Sequence, residues 1–252
     1  MKTIDINADL GEGFGDYVKA DDAALMPLIT SANVACGFHA GDFMTMGRTV
    51  AQAASAGVCV GAHVGYPDRQ GFGRRAIAYT PQEVFMMTLY QLGALEAITR
   101  AAGQKLTHAN FHGALGNRCF ADYDLAHRAL SAVCAFDETL KFIVPAYTAA
   151  YRAAKDLGIA TVASFLADRA YTAEGLLASR KEAGAVIHDP GQIRERVLRV
   201  LQEGKVRTAS GTDLEMPVDS ILVHSDTKGA VEITHVIRQA VEDSGFQIGR
   251  FL

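Results

Sequence analysis

The sequence lacks tryptophan and has few cysteines and prolines, four and six among 252 residues. Its cysteines are widely and irregularly spaced and form no CxxC pair; they are Cys36, Cys59, Cys119 and Cys134. In a chain of this length, such spacing is typical of reduced, buried thiols in a cytosolic protein. No uninterrupted apolar stretch approaches the roughly 18 residues that a membrane span needs. We therefore expect a protein without membrane association.

An excess of positive charge is also missing. The chain contains 24 Lys and Arg against 28 Asp and Glu, which gives a formal net charge of −4. This balance argues against nucleic-acid binding by broad phosphate neutralisation. The first residues show no charged segment followed by an apolar segment and a cleavage site. We predict a cytoplasmic protein that folds as one domain over residues 1–252, because 49% hydrophobic residues suffice for a substantial core.

Short apolar runs alternate with segments of helical spacing along the whole chain. The predicted strands are residues 2–10, 31–38, 58–64, 106–112, 140–145, 159–165 and 220–224, with 184–188 as a weaker candidate. The predicted helices are residues 46–56, 81–102, 122–135, 146–157, 192–202 and 229–243. Repeated strand–helix alternation indicates an α/β fold with a mainly parallel sheet. A closed barrel and an open doubly wound sheet both fit this pattern.

Polar residues with catalytic potential follow the predicted strands at their carboxyl ends. Because these ends share one face of a parallel α/β fold, distant residues can meet there. The candidates are Asp9, Glu12, His39, Asp42, His63, Asp68, His112, Asp168, Arg169, His224 and Asp226. Each has a structural alternative: a single histidine is often only hydrogen-bonded, and Asp42 could be a helix N-cap. The recurrence of histidine at the same end of successive strands favours a site.

A long connection over residues 66–79 supplies two arginines to the same predicted face. Arg74 and Arg75 could hold a carboxylate or a phosphate through their planar donors, or could form a solvated basic pair. Motifs for nucleotide binding are missing: there is no GxxxxGK[ST], and residues 11–15 do not fit GxGxxG. GxSxG and HExxH are absent as well.

Several of these segments resemble the LamB/YcsF family over almost the whole chain and in the same order. They are NADLGEGFG at residues 7–15, SANVACGFHAGD at 31–42, GAH at 61–63, YPD at 66–68, GFGRR at 71–75, HGAL at 112–115, ADRAY at 167–171 and VH at 223–224, followed by Asp226 and Thr227. The resemblance implies a seven-stranded (β/α) barrel of the glycoside hydrolase/deacetylase type.

The resemblance also implies ATP-dependent opening of 5-oxo-L-proline to L-glutamate, carried out with 5-oxoprolinase subunits B and C. On this basis Asp9, His39, His63, His112 and Asp168 are the candidate catalytic residues. The expected substrate-binding residues are Glu12, Asp42, Asp68, Arg74, Arg169, His224 and Asp226. An ATP site completed by the partner subunits would account for the missing nucleotide motif.

Two departures from the family pattern flank His112. Asn110 stands where the family usually has lysine, and Gly116 stands where it usually has tyrosine. A paralogue acting on another lactam is therefore an alternative. A second alternative is a metal-dependent deacetylase or amidohydrolase, with Asp9, His39 and His63 as candidate ligands of a divalent ion. A third is a binding or scaffold subunit without chemistry of its own.

Overall fold

The computed structural model describes residues 2–251. Its strands are β1 (Thr3–Leu10), β2 (Ser31–Ala35), β3 (Cys59–Val64), β4 (Leu106–Phe111), β5 (Lys141–Val144), β6 (Thr161–Leu166), β7 (Lys205–Arg207), β8 (Asp213–Glu215), β9 (Ser220–Val223) and β10 (Gln247–Ile248). Its α-helices are α1 (Asp22–Leu25), α2 (Phe43–Ala56), α3 (Pro81–Ala101), α4 (Gly113–Ala121), α5 (Tyr123–Phe136), α6 (Ala149–Asp156), α7 (Pro190–Glu203) and α8 (Ala230–Asp243).

Seven parallel strands close into a barrel in the order β1-β2-β3-β4-β5-β6-β9. The ring closes where β9 pairs with β1, with Asp5 opposite Ser220. β10 adds two parallel residue pairs to β1, and β7 and β8 form a separate antiparallel hairpin. The closed barrel predicted by the family resemblance is therefore confirmed, and the open sheet is excluded.

Strand β1 shows how the barrel divides its two faces. Ile4, Ile6, Ala8 and Leu10 are fully buried and belong to an apolar cluster that also contains Ile233 and Ile237 of α8. The intervening residues form the polar interior described below. Because both faces of such a strand are covered, its residues are buried whether they are apolar or polar.

Inside the barrel, polar side chains form one hydrogen-bonded chain. Asn7 donates to Ser220 Oγ at 2.6 Å and accepts from Asn33 Nδ2 at 2.7 Å. Asn33 Nδ2 also donates to Asp9 Oδ1 at 3.0 Å. At the other end, Asp5 accepts from Ser31 Oγ at 2.6 Å and from Ser220. This hydrogen-bond network thus extends along β1 from Asp5 to Asp9, where the strand reaches the carboxyl end of the barrel.

Local turn chemistry moves several boundaries from their predicted positions. Gly37 has a φ of 87°, a left-handed conformation that ends β2 early, so the strand predicted to continue to residue 38 is shorter. Tyr147 has a φ of 66°, and Thr148 caps α6, which delays that helix from residue 146 to Ala149. The weak strand prediction at 184–188 is wrong: only Val186 forms an isolated bridge, to Arg169.

Within residues 2–251, no helix has the length and apolar character required to span a membrane.

Candidate functional site

Three imidazoles from three successive strand ends meet at the carboxyl end of the barrel. His63 belongs to β3, while His39 and His112 come after β2 and β4. The rings of His39 and His112 stack with centroids 3.8 Å apart, and His63 meets both edge-on. All three side chains are buried, with at most 4% of any residue exposed. The strand-end pattern in the sequence therefore predicted a real meeting point.

Glu12, in the loop after β1, completes this group, which we call the imidazole cluster (Glu12, His39, His63 and His112). Glu12 Oε1 lies 3.2 Å from His39 Nε2, 3.7 Å from His63 Nε2 and 3.4 Å from His112 Nδ1. One potential ligand atom from each residue lies within 4.8 Å of all the others. Tetrahedral zinc with bonds of about 2.0–2.1 Å holds its ligand atoms about 3.3 Å apart. The cluster thus has the donor types and spacing for a divalent ion.

The outer hydrogen bonds of two imidazoles support the same conclusion. His63 Nδ1 donates to Asn110 Oδ1 at 2.7 Å, and His112 Nε2 donates to the carbonyl oxygen of Phe72 at 2.8 Å. A neutral imidazole carries one N–H, so His63 Nε2 and His112 Nδ1 then present lone pairs to each other at 2.9 Å. Two facing lone pairs repel unless a cation lies beside them. These outer partners therefore orient the two rings so that their inner nitrogens could bind a cation.

The pKa values of the three imidazoles also favour their neutral forms. Burial, reinforced by neighbouring cationic groups, lowers the pKa of His39 and His112 well below 6.5. Burial also lowers the pKa of His63, although Asp9 opposes this effect. For Glu12, burial and the negative charges of Asp9 and Asp226 raise the pKa well above its usual range. Neutral imidazoles are the form that binds metal, and a nearby divalent cation would favour the Glu12 carboxylate.

Glycines next to the cluster leave room for the rings. A Cβ on Gly65 would lie 2.5 Å from His39 Nδ1, and one on Gly73 would lie 2.8 Å from His112 Cδ2. Gly73 also has a φ of 60°. Any larger residue at either position would displace an imidazole, so these glycines serve the packing of the site as well as the turns.

A second polar group lies beside the cluster. His224, after β9, donates from Nδ1 to Asp168 Oδ1 at 2.8 Å, and Thr227 Oγ1 donates to Asp168 Oδ2 at 2.7 Å. Arg74 pairs with Asp226 at 2.9 Å. Burial alone would raise the pKa of Asp168. The charge of His224 and the hydrogen bond that it donates outweigh this effect and hold the pKa below its usual value. Asp168 is therefore a buried carboxylate that fixes the orientation of the His224 ring.

Both groups border a cavity of about 530 Å³, a size typical of small-molecule sites. Its polar lining includes Asp9, His63, Arg74, His112 and His224. Asp9 lies next to the cluster, with Oδ2 3.5 Å from His63 Nε2. The apolar side chains that line the same cavity are Phe111, Phe120, Ile143, Leu166, Leu176, Leu177 and Leu222.

Three of the predicted site residues have structural contacts instead. Asp42 caps α2 and also accepts from the Gly15 amide at 2.9 Å. Asp68 accepts from Arg75 and from the Gly71 amide, contacts that hold the 66–79 loop together. Arg169 lines the cavity, but its guanidinium donates to the carbonyls of Ala178 and Ala185. Of the metal ligands proposed from sequence, His39 and His63 belong to the imidazole cluster together with Glu12 and His112. The third, Asp9, lies beside the cluster, with Oδ2 3.5 Å from His63 Nε2.

Sequence reasoning missed two residues of the site. Asn110 was noted only as a departure from a family pattern, yet it is the hydrogen-bond partner of His63. Asn110 lies on β4, two residues before His112. Because side chains alternate between the two faces of a strand, this spacing could have predicted that Asn110 faces inward like His112. Arg180 lines the cavity from the long connection between β6 and α7, where no periodicity indicates a direction.

Comparison with known proteins identifies the family to which this barrel belongs. A model of the LamB/YcsF family matches residues 4–252. A protein from Ralstonia nicotianae, named as the second form of the 5-oxoprolinase A subunit, is 52% identical over 245 residues, which are 97% of this chain and 94% of that protein. The first form from Pseudomonas syringae pv. tomato is 49% identical over 242 residues, covering 96% of this chain and 94% of that protein.

Among solved structures, this chain is similar to a lactam utilization protein from Thermus thermophilus. The two share 38% sequence identity and a TM-score of 0.93, and the match covers 99% of this chain and 100% of the other. The sequence and structural comparisons therefore agree across the full barrel.

Proposed function

The chain belongs to the LamB/YcsF family, and from this premise we propose that it is the barrel subunit of an ATP-dependent lactam hydrolase. The reaction is the opening of 5-oxo-L-proline to L-glutamate, and the chain acts as a single barrel domain in the cytoplasm. The observation that carries the proposal is the imidazole cluster beside a small-molecule cavity, in a chain 52% identical to a 5-oxoprolinase A subunit. Subunits B and C are the proposed partners.

Hydrolysis of a lactam makes three demands on the site. The amide carbonyl must be polarised, a water must be directed at its carbon, and the departing nitrogen must receive a proton as the ring C–N bond breaks. Asp9 borders the cavity next to the cluster, so its carboxylate suits the orientation and deprotonation of water. Arg74, fixed by Asp226, adds positive charge at the same wall.

His224 is the proposed proton donor. Its Nδ1 is engaged with Asp168, which leaves Nε2 as the ring nitrogen available at the cavity. The buried Asp168 carboxylate accepts a hydrogen bond from Nδ1 and so orients the ring. This assignment makes Asp168 a positioning residue. His112, a catalytic candidate from sequence, becomes a proposed metal ligand instead.

A divalent ion fits the imidazole cluster, with Glu12, His39, His63 and His112 as the residues that would hold it. When bound, such an ion polarises a carbonyl or lowers the pKa of water. Asn110 and the Phe72 carbonyl orient His63 and His112 toward that position. ATP is the proposed energy source for opening the stable amide, and its site is expected to be completed by the partner subunits.

The test is conversion of 5-oxo-L-proline to L-glutamate by the chain assembled with candidate B and C subunits and ATP. His224→Gln should lower kcat by about 10²–10⁴-fold, the range for loss of a general acid or base. The matched control is His235→Gln on the exposed face of α8, which should retain wild-type activity.

Two outcomes would contradict the proposal. Absence of glutamate formation by the wild-type complex would exclude this substrate. Turnover that continues without ATP and stops with a chelator would favour the alternative of a metal-dependent amidohydrolase, which the same cluster also supports.

A further inference from the structure

Arg180 reaches the cavity from a connection whose backbone is fixed just before it. Ala178 donates its N–H to the Ala170 carbonyl at 2.9 Å, and its own carbonyl accepts from Arg169 at 2.6 Å. Leu177, one residue earlier, bridges Tyr171. These contacts anchor the segment two residues before Arg180. Arg180 therefore lines the cavity from a defined position, although no helix or strand contains it.

The three arginines that line the cavity differ in what their guanidinium groups contact. Arg74 pairs with Asp226, and Arg169 donates to two backbone carbonyls. Within residues 2–251, Arg180 has neither a carboxylate within 4.0 Å nor a hydrogen-bond acceptor. Arg180 is nevertheless half-buried where it lines the cavity, so its planar donors are available to a group bound there.

The charges around Arg180 are consistent with a place for an anion. Burial and the nearby Arg74 lower the pKa of Arg180, against the opposing effect of Asp226, Asp168 and Asp9. Arg180 thus lies close enough to these charged residues to interact with them, but it forms no ion pair with any of them. An incoming oxyanion could form the paired donor contacts that this guanidinium lacks.

We propose that Arg180 binds the carboxylate of an anionic lactam, so that the cavity selects a ring that carries a carboxylate over the same ring without one. The inference rests on the proposed function and adds its recognition element. The apolar side chains of Leu176 and Leu177 lie in the same segment and line the same cavity, so they suit the ring carbons. The imidazole cluster lies at the wall where the amide would react.

The kinetic test compares two substrates in the assembled complex: 5-oxo-L-proline and 2-pyrrolidinone, which is the same ring without a carboxylate. Arg180→Ala should lower kcat/KM for 5-oxo-L-proline by about 10–100-fold, the range for a hydrogen bond to a charged group. For 2-pyrrolidinone the value should stay within about 2-fold. Arg180→Lys should recover part of the loss, because it keeps the charge and lacks the planar pair of donors.

The control removes one positive charge elsewhere. Arg152→Ala, on the exposed side of α6, should leave both substrates unaffected. Equal losses for both substrates in Arg180→Ala would assign the residue a structural role and overturn the proposal. A rise in KM for ATP with an unchanged KM for 5-oxo-L-proline would identify a phosphate as the bound anion, which would also overturn it.

A binding measurement separates this proposal from the proposed reaction. Calorimetry with the full chain and 5-oxo-L-proline should give a Kd that Arg180→Ala raises by about 10–100-fold. Were the complex to release no glutamate while this difference persisted, the reaction would be wrong and the carboxylate subsite right. An equal Kd for both proteins, or no binding to the wild type, would exclude the subsite.

Discussion

At the scale of single residues, the geometry of the site depends on groups outside the imidazole cluster. The carbonyl of Phe72 and the amide oxygen of Asn110 fix which nitrogen of each imidazole carries its proton. That choice turns the lone pairs of His63 and His112 toward Glu12. Substitution of a hydrogen-bond partner such as Asn110 should therefore change the orientation and metal affinity of the cluster, although all four of its residues remain.

Substitution of Asn110 tests this dependence. Asn110→Leu keeps a similar volume but removes the acceptor for His63 Nδ1, and should weaken binding of a divalent ion by about 10–100-fold. Asn110→Asp retains an acceptor and should bind at least as tightly as the wild type. Competition between the protein and a chelating dye for Zn²⁺ or Mn²⁺ would measure both. Identical affinities in the two variants would show that His63 needs no outer partner.

The residues of the cluster were within reach of the sequence, because strand ends in a parallel barrel share one face. His39, His63 and His112 followed from that rule alone. Asn110 and Arg180 did not: the significance of Asn110 depends on which ring it faces, and Arg180 lies in an irregular segment. Asp42 and Asp68 also follow strand ends, but local backbone amides and Arg75 engage them.

At the scale of elements, the start of α2 shows that a predicted substrate-binding residue, Asp42, also caps a helix. Asp42 Oδ1 accepts from the amides of Met44 and Thr45, and its Oδ2 accepts from the Gly15 amide in the loop after β1. Although burial opposes the effect, these amides lower the pKa of Asp42 to about 2. The carboxylate joins the first helix turn of α2 to the loop that carries Glu12.

Removal of this cap should affect stability first. Asp42→Ala should lower the free energy of unfolding by about 1–2 kcal/mol, the range for loss of an N-cap. Asp42→Asn keeps a side-chain oxygen that can accept and should lose less. Urea unfolding at pH 7 would measure both variants. If Asp42→Ala unfolds like the wild type while activity is abolished, Asp42 would have a direct role in catalysis.

The long helices were predictable, whereas α4 and the two- and three-residue strands were not. Thr80 and Glu83 form a capping box at the start of α3, with Pro81 at its first position, where the sequence predicts a helix over residues 81–102. By contrast, α4 starts directly after His112 with glycine at its first position, and β10 has only two residues. Such elements are too short to show a hydrophobic periodicity, and tertiary contacts determine whether they form.

At the scale of the whole molecule, the barrel encloses polar groups where many barrels contain only branched apolar residues. His108 is one of them: its Nε2 donates to Asn33 Oδ1 at 3.0 Å, and Thr107 Oγ1 lies 2.8 Å from its Nδ1. Gly61 of β3 packs against its ring. Through Asn33, this contact joins β4 to Asp9 at the site, so the interior network links stability to the geometry of the catalytic end.

This interior should make the stability of the barrel sensitive to acid. Burial, with a contribution from His63, lowers the pKa of His108 from 6.5 to about 3. Between these values the unfolded chain binds more protons at this residue than the folded chain, so stability falls as the pH drops below about 6.5. From pH 7 to pH 5 the expected loss from His108 is about 2 kcal/mol.

The variant His108→Gln removes the titrating group and retains a donor for Asn33. Its free energy of unfolding should therefore decrease less than that of the wild type between pH 7 and pH 5, by about 2 kcal/mol. Urea unfolding in the presence of a chelator measures this difference without a contribution from bound metal, and the exposed His235→Gln serves as the control. Parallel losses in wild type and His108→Gln would mean that the barrel accommodates a charged His108, and that its interior is more hydrated than the closed network implies.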